Sequence, residues 1–596
     1  MDLEEYWGIG PKTCDRLETT LGTERAIEAI ETIDIPALTE AGLARGRATR
    51  VLRHAHCERG MDLLRTPDTR RVYKDLIDRI AAHALTKEAA DRIRVLTPLA
   101  SIEDMDARLD DVALARESWA ALDEPTREAV LDAFEAYDAA GGGERAAVAA
   151  ALSLREAGVE RGVFEPLTDL DREGLAAARD ALRYLDGEAV LEGADADLDT
   201  LRERRAATDR LASERTDVLE AIGADELRTT EEFRAAFVEY ATAETGVSSP
   251  RIRAATPQEA TDAAAFVSEG LRALGEELEE AVAEREREVR ADLEESIADA
   301  RGEVDAAVGT VREITLTLSL ARFAATYDLT RPRFVDRECL AVAGARNLGL
   351  AAGGEDPQPI TYAIGEHTPA EDGTAIDSSA DTDLDPDVPS GDRVAVLTGA
   401  NSGGKTTLLE TLCQVVLLGA MGLPVPAEEA QLGRFDAVVF HRRHASFNAG
   451  VLESTLRTVV PPLTESERTL MLVDEFEAIT EPGSAANLLH GLVGLSVETG
   501  ALGVFVTHLA EDLEPLPDAA RTDGVFAQGL DEDLALDVDY QPRFGTVGRS
   551  TPEFIVSRLV ANASDRQERA GFSALADAVG QQAVQRTLSD VEWSTR

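Results

Sequence analysis

Gly399 and Gly404 stand five residues apart and are followed at once by Lys405 and Thr406, in the run Gly-Ala-Asn-Ser-Gly-Gly-Lys-Thr. This is the GxxxxGK[ST] spacing, which holds a triphosphate when a strand precedes it and a helix follows. The amides of Gly399, Ala400, Asn401, Ser402, Gly403 and Gly404 then cradle the phosphates, and Lys405 reaches the β and γ groups. The Thr406 hydroxyl ligates Mg²⁺, and Thr407 closes the ATP-binding run. Downstream, the apolar run Thr469 to Val473 ends in Asp474-Glu475. An acidic pair at the end of a buried strand suits Asp474 to hold Mg²⁺ through water and Glu475 to orient or deprotonate the attacking water. An acidic turn that merely ends a strand is the bland alternative. A third run, Gly503 to Val506, leads into Thr507-His508, which puts His508 where a γ-phosphate would be sensed. The expected chemistry is Mg²⁺-dependent ATP hydrolysis, with Glu475, His508 and Lys405 catalytic and Thr406 and Asp474 on the metal.

These groups require short buried strands alternating with helices. The β-branched runs 394–397, 438–440, 470–473 and 503–506, with a helix expected over 408–418, predict an α/β domain of the P-loop, ABC-type ATPase class over residues 336–560. No lysine or arginine falls between Arg346 and Arg393, and residues of about 366–392 are rich in Asp, Glu, Pro, Gly, Ser and Thr. That composition predicts a mobile acidic loop. Residues 61–335 read as a helical core with lever or clamp helices, and residues 561–596 as a C-terminal helical segment. Leu271, Leu274, Leu278, Val282, Val289, Leu293, Ile297, Ala300, Val304, Val308 and Val311 recur at three- and four-residue steps. They mark one helical stripe. With no proline between Pro257 and Pro332, a helix of some fifty residues would reach ~75 Å. Two ordinary helices broken near Gly302 fit the same pattern. The fold class is therefore multidomain: helical N-terminal and lever regions joined to an α/β ATPase domain.

Residues 1–60 hold a repeated pattern. A helix, the turn Gly8-Ile9-Gly10-Pro11 and a second helix recur around Gly42-Leu43-Ala44, which resembles a tandem helix-hairpin-helix domain. Glycines let backbone amides and the next helix N-terminus approach a phosphate unobstructed. Gly8, Gly10 and Gly42, with Lys12 and Arg45 and the neighbouring Arg47 and Arg50, are the candidate contacts to double-stranded or branched DNA. Helical hairpins used only for packing are the alternative.

The 113 acidic residues outnumber 60 basic ones for a net charge of -53, yet 44% of residues are apolar. That is too many for a disordered acidic chain. Lys12, Lys74, Lys87 and Lys405 are the whole lysine complement, a haloarchaeal-type composition. In molar salt the Debye length falls to ~3 Å, so net charge does not exclude a nucleic-acid partner. A basic, apolar leader and any run of 18 apolar residues are missing, so a cytoplasmic location without membrane contact is expected. Cys14, Cys57, Cys339 and Cys413 form no CxxC pair and read as buried thiols. His54, His56 and Cys57 lack a second ligand pair for a metal.

TGANSGGKTT (398–407), MLVDE (471–475) and VTH (506–508), in this order, resemble the ATPase of the MutS mismatch-repair family. Leu316, Leu318, Ala321 and Tyr327, followed by Arg331-Pro332, are similar to that family's lever-to-core junction. The likeness covers about 270–560. No mismatch-recognition domain with a Phe-x-Glu wedge and no C-terminal Smr nuclease motif is found, so the chain looks most like the archaeal MutS-two branch. The resemblance implies ATPase activity, non-specific DNA binding and a homodimer through the ATPase domains. Ser446-Phe447 resembles a segment whose serine reaches the partner's nucleotide, which makes Ser446 a further ATP contact. Phe476-Glu477-Ala478-Ile479 departs from the family's glycine-rich stretch. An SMC-like DNA-organising ATPase is the alternative; it lacks an LSGGE-type signature here and would need longer arms. A nuclease would need a metal-ligand cluster outside the ATP site.

Overall fold

A computed structural model describes residues 3–56, 59–187, 189–223, 229–368, 387–399, 404–443, 449–479, 482–530, 536–548, 556, 559–560, 563 and 565–579. The chain forms two compact units, residues 1–122 with 314–596, and residues 123–313. The helical run expected over 61–335 is thus divided between them.

The first unit opens with α1 Pro11–Leu21, α2 Thr23–Glu31, α3 Ile35–Glu40 and α4 Arg45–His56, followed by α5 Pro67–Ala81, α6 Lys87–Val95 and α7 Ile102–Ala121. The side chains of Asp34, Thr66, Thr86 and Ser101 cap α3, α5, α6 and α7 by accepting a first-turn backbone N–H. Such caps satisfy amides that the helix itself leaves without acceptors. Leu3, Leu17, Ile30, Leu38 and Leu52 are fully buried in one cluster that reaches Val95 of α6.

The second unit holds α8 Glu124–Ala139, α9 Gly143–Glu156, α10 Arg172–Tyr184, β1 Leu185–Asp186, β2 Ala189–Val190, α11 Ala196–Ser213, α12 Arg215–Ala221, α13 Thr230–Thr245, α14 Ser249–Ala255 and α15 Ala263–Asp299. α16 Arg301–Thr326 follows, and the boundary between units falls within it. Of the two readings of the stripe, one long helix or two broken near Gly302, the structure has two, meeting at Ala300 (φ -96°, ψ 10°). Leu271, Leu274, Leu278, Val282 and Val289 of α15 are buried, while Leu293 is only partly so. α15 also holds α11 through Arg285, 2.7 Å from the cap residue Asp195, and through Glu286, 3.0 Å from Arg202.

The rest of the first unit is built on two sheets, from β3 Arg333–Val335, β4 Cys339–Ala345, α17 Leu348–Ala352, β5 Ile360–Gly365, β6 Val394–Gly399, α18 Lys405–Ala420, β7 Glu429–Gly433, β8 Ala437–His441, α19 Ala449–Glu465, β9 Thr469–Asp474, α20 Pro482–Glu498, β10 Leu502–Val506, β11 Ala520–Leu530 and β12 Leu536–Arg543. α21 Arg566–Val579 comes last. The larger sheet has the order β12-β11-β6-β10-β9-β8, and the smaller β3-β7-β4-β5. β8, β9, β10, β6 and β11 run parallel; β12 returns antiparallel to β11. Parallel strands need crossover helices that cover both faces. Every residue of β6, β8, β9 and β10 is accordingly buried.

The outer edge of β8 is closed by threonines from α5. Thr66 Oγ1 donates to the Phe440 carbonyl at 2.5 Å. Thr69 Oγ1 donates to the Val438 carbonyl at 3.0 Å and accepts the Phe440 N–H at 2.9 Å. Two side chains thus occupy ladder positions that an exposed edge would offer to another strand.

Candidate nucleotide site and hairpin region

β6 delivers Gly399 and α18 begins at Lys405, so the first and last parts of the expected phosphate loop stand at a strand end and a helix start. Ala400, Asn401, Ser402 and Gly403 lie outside the described residues, as do Ser446-Phe447, Thr480, Cys57 and most of the acidic stretch. Gly399 has φ 131°, and a Cβ there would lie 2.1 Å from the Val525 carbonyl oxygen. Neither the conformation nor the space admits a side chain.

Lys405 is 4% exposed and its Nζ donates to the Gly399 carbonyl at 2.9 Å. Burial pulls the ammonium below its ordinary value, opposed by the carboxylates of Glu475 and Asp474. The Thr406 hydroxyl donates to Asp474 Oδ2 at 2.7 Å. Burial pushes the Asp474 carboxyl up, and that hydrogen bond works against the shift. Asp474 Oδ1 is buried without a hydrogen-bond partner. A buried oxygen in that state is costly, and beside the Thr406 hydroxyl it forms a hard-oxygen pair of the kind that Mg²⁺ takes. The two expected metal residues are therefore together and fit the ion.

Glu475 takes the left-handed conformation, φ 44°, uncommon for a residue with a side chain. Its amide donates to the Val506 carbonyl of β10 at 3.0 Å. One carboxylate oxygen lies 3.1 Å from His508 Nε2, the other 2.6 Å from Arg443 Nη1. His508 thus meets Glu475, and its own backbone is held by Glu477, the start of a segment that the resemblance assigns to contacts across a dimer. Glu477 Oε1 accepts the His508 N–H at 2.7 Å and the Thr507 hydroxyl at 2.9 Å. The residue that departs from the family pattern is a local brace.

A cavity of about 430 Å³ opens beside Lys405, Thr406 and Thr407, walled by Asn347, Gln358 and Tyr540. Asn347 accepts the Leu350 N–H as cap of α17 and donates to Thr411 of α18 at 3.1 Å. Gln358 accepts the Tyr540 N–H at 3.1 Å and donates to Asp539 at 3.0 Å. The Tyr540 ring lies over Gly404, where a Cβ would meet it at 2.7 Å. Tyr540 escaped the sequence reading because β12 carries no motif. Only its pairing with β11 brings it to the loop.

In the hairpins Gly8 and Gly42 have φ 81° and 88°. Arg47 of α4 donates to the Gly8 carbonyl, and Arg16 of α1 to the Gly42 carbonyl, both at 2.9 Å. The hairpins are thereby cross-tied. The amides of Ile9, Gly42 and Leu43, expected to reach a phosphate, donate to Tyr6, Thr39 and Leu38 carbonyls. Gly10 precedes α1 without a side-chain cap, and Pro11 takes its first position, which leaves the first turn beside exposed Lys12 uncapped. Arg45, expected on DNA, is ion-paired with the buried Asp91. His54 stacks on half-exposed Trp7 with ring centres 3.8 Å apart, and His56 Nε2 lies 3.0 Å from the Ile30 carbonyl oxygen. Among the described residues no cluster of three His, Cys, Asp or Glu is placed for a metal, and no helix is long and apolar enough to cross a membrane. Cys14, Cys339 and Cys413 are buried thiols.

No protein-family model matches the chain. It is 41% identical over 248 residues to "DNA-binding protein MutS2" of Pyrococcus furiosus, covering 41% of this chain and 40% of that protein. It is 31% identical over 173 residues to "Endonuclease MutS2" of Thermomicrobium roseum, 28% of this chain and 22% of the relative. To "DNA mismatch repair protein MutS" of Syntrophobacter fumaroxidans it is 26% identical over 269 residues, 43% and 27% respectively. The chain is thus similar to MutS and MutS2 proteins over less than half its length, and spans at most 40% of these relatives.

Proposed function

We propose that this protein is a Mg²⁺-dependent ATPase of the MutS type that binds double-stranded or branched DNA and works as a homodimer through its ATPase domains. The observation that carries the reading is the convergence of Lys405, Thr406, Asp474, Glu475 and His508 at one end of β6, β9 and β10. Lys405 and the amides at the start of α18 bind the β and γ phosphates. Thr406 and Asp474 would hold Mg²⁺, which neutralises phosphate charge when bound. Glu475 accepts a proton from the attacking water while His508 fixes its carboxylate. The oxygen of that water bonds to the γ-phosphorus, and the bond to the β–γ bridging oxygen breaks with its electrons left on ADP. The cross-tied hairpins and Lys12 supply the DNA face, and DNA and ATP are coupled by movement of the helical clamp.

The Pyrococcus and Syntrophobacter relatives' names support the DNA part of this reading. A nuclease, the word in the Thermomicrobium name, finds no metal cluster among the described residues. The test is phosphate release in molar KCl with Mg²⁺ or EDTA for the wild type, Lys405→Ala and Glu475→Ala. Mg²⁺-dependent turnover is expected, lost in Lys405→Ala. In Glu475→Ala it is slowed about 10²-fold or more with ATP still bound. Equal loss of ATP binding in both variants overturns the assignment.

A further inference from the structure

Arg443 has no place in the chemistry above, yet its guanidinium is the closest cation to the carboxylate proposed to activate water. Its Nη1 stands 2.6 Å from Glu475 Oε2. The two ends of this pair differ in setting. The Glu475 side chain is 13% exposed, on a backbone held in the left-handed region, whereas that of Arg443 is 57% exposed. The preceding residue is fixed: the Arg442 amide donates to Asp68 at 3.0 Å, its guanidinium pairs with Glu410 at 2.6 Å, and it lies over the Phe440 ring. Arg443 therefore extends from an anchored point at the end of β8, with its head in solvent. The guanidinium pairs with a carboxylate that lines the cavity beside Lys405 and Thr406.

While no nucleotide is bound, that pair engages both the guanidinium and the carboxylate. A bound triphosphate changes the balance, bringing several negative charges within reach of the same head group. A planar guanidinium matches phosphoryl oxygens in a two-point fork. We propose that Arg443 is a catalytic residue of the ATPase, supplied by the same chain. Without nucleotide it neutralises Glu475, and with ATP bound it passes to the γ-phosphoryl oxygens and leaves Glu475 paired with His508. As the water oxygen bonds to phosphorus and the bond to ADP breaks, its proton goes to the released Glu475. The guanidinium stays on the charge that gathers on the transferring group, a contribution worth about 10³–10⁵ in rate where such arginines are known.

This inference rests on the ATPase reading, so the experiment separates the two. The full chain is compared as wild type, Arg443→Ala and Arg443→Lys by steady-state turnover, and by affinity for ADP alone and for ADP with aluminium fluoride. Expected for Arg443→Ala are an unchanged melting temperature, kcat lower by about 30-fold or more and KM within about threefold. The fluoride complex should lose at least about tenfold in affinity while ADP alone does not. Arg443→Lys should recover part of both losses. Unchanged or faster turnover in Arg443→Ala overturns the proposal, since the arginine is then only a brake on Glu475. Equal weakening of ADP and the fluoride complex also overturns it. A wild type without ATPase activity removes the parent reading as well, a result distinct from either.

Discussion

Glu477 Oε1 accepts the His508 backbone N–H at 2.7 Å, so a carboxylate three residues past the end of β9 fixes the histidine that follows β10. The same oxygen takes the Thr507 hydroxyl. Glu477→Ala removes both bonds while leaving the phosphate-binding residues in place. We expect kcat to fall about 10- to 100-fold, the scale of a small misplacement at a reacting centre, with ATP affinity nearly unchanged. Glu477→Gln keeps an acceptor oxygen and should stay close to wild type. Similar losses in the two variants would mean that the charge, rather than the brace, matters.

Asp474 gives a pH-dependent stability difference. Burial raises its folded-state value above the 3.8 of an exposed aspartate. Below 3.8 both states are protonated and no penalty exists. As pH rises through the folded value, ionising the buried group costs the fold stability. Asp474→Asn escapes this cost and can still accept from Thr406. Its melting temperature should match wild type below about pH 3.8, exceed it as pH rises through the folded-state value of Asp474 and then hold a constant lead, all without Mg²⁺. Adding Mg²⁺ should raise the wild type and leave the variant unmoved. Thermal scans across pH test both statements.

Tyr540 and Gly399 separate binding from folding. The Tyr540 ring stands at the cavity wall over Gly404, placed for a nucleobase to stack on it, and stacking is worth about 1–3 kcal/mol. Tyr540→Ala should raise KM for ATP about tenfold with little change in kcat. Gly399→Ala adds a Cβ against the Val525 carbonyl at positive φ. Strain and overpacking together should destabilise the fold by about 2–5 kcal/mol, read by chemical denaturation.

On the hairpins, Lys12 is exposed beside the uncapped start of α1, whereas Arg45 is engaged by Asp91. Lys12→Glu should weaken duplex binding at every sequence and lower the salt slope by about one. Arg45→Ala should act mainly on the stability of the packing between α4 and α6. The reverse ranking in gel-shift titrations would assign the DNA contact to Arg45.

Much of the candidate nucleotide site was legible because its parts are local. Parallel strands buried on both faces read as unbroken apolar runs, and the residues at their ends carry the motif. Glu477, Arg443 and Tyr540 were not legible, for three different reasons. Glu477 acts through a reach between strand ends 31 residues apart. Arg443 is one arginine among many in a chain with four lysines, and only distance singles it out. Tyr540 depends on the register of β12, which includes shifts along β11. The stripe from Leu271 onward gave the helical period, but the period is the same for one long helix and for two broken near Gly302, and only the backbone turn at Ala300 decides between them.

β6, the strand that ends at Gly399, lies between β10 and β11, which begin only at Leu502 and Ala520. On the ribosome this apolar strand emerges long before either neighbour exists, and it waits with both edges unpaired. β8 and β9 emerge in the meantime and can pair, but β10 must be added before they join β6. A chain cut short before Ala520 would therefore be a sticky, half-zipped sheet, prone to aggregate. Premature termination in this stretch should remove the chain from solution rather than leave a soluble helical fragment.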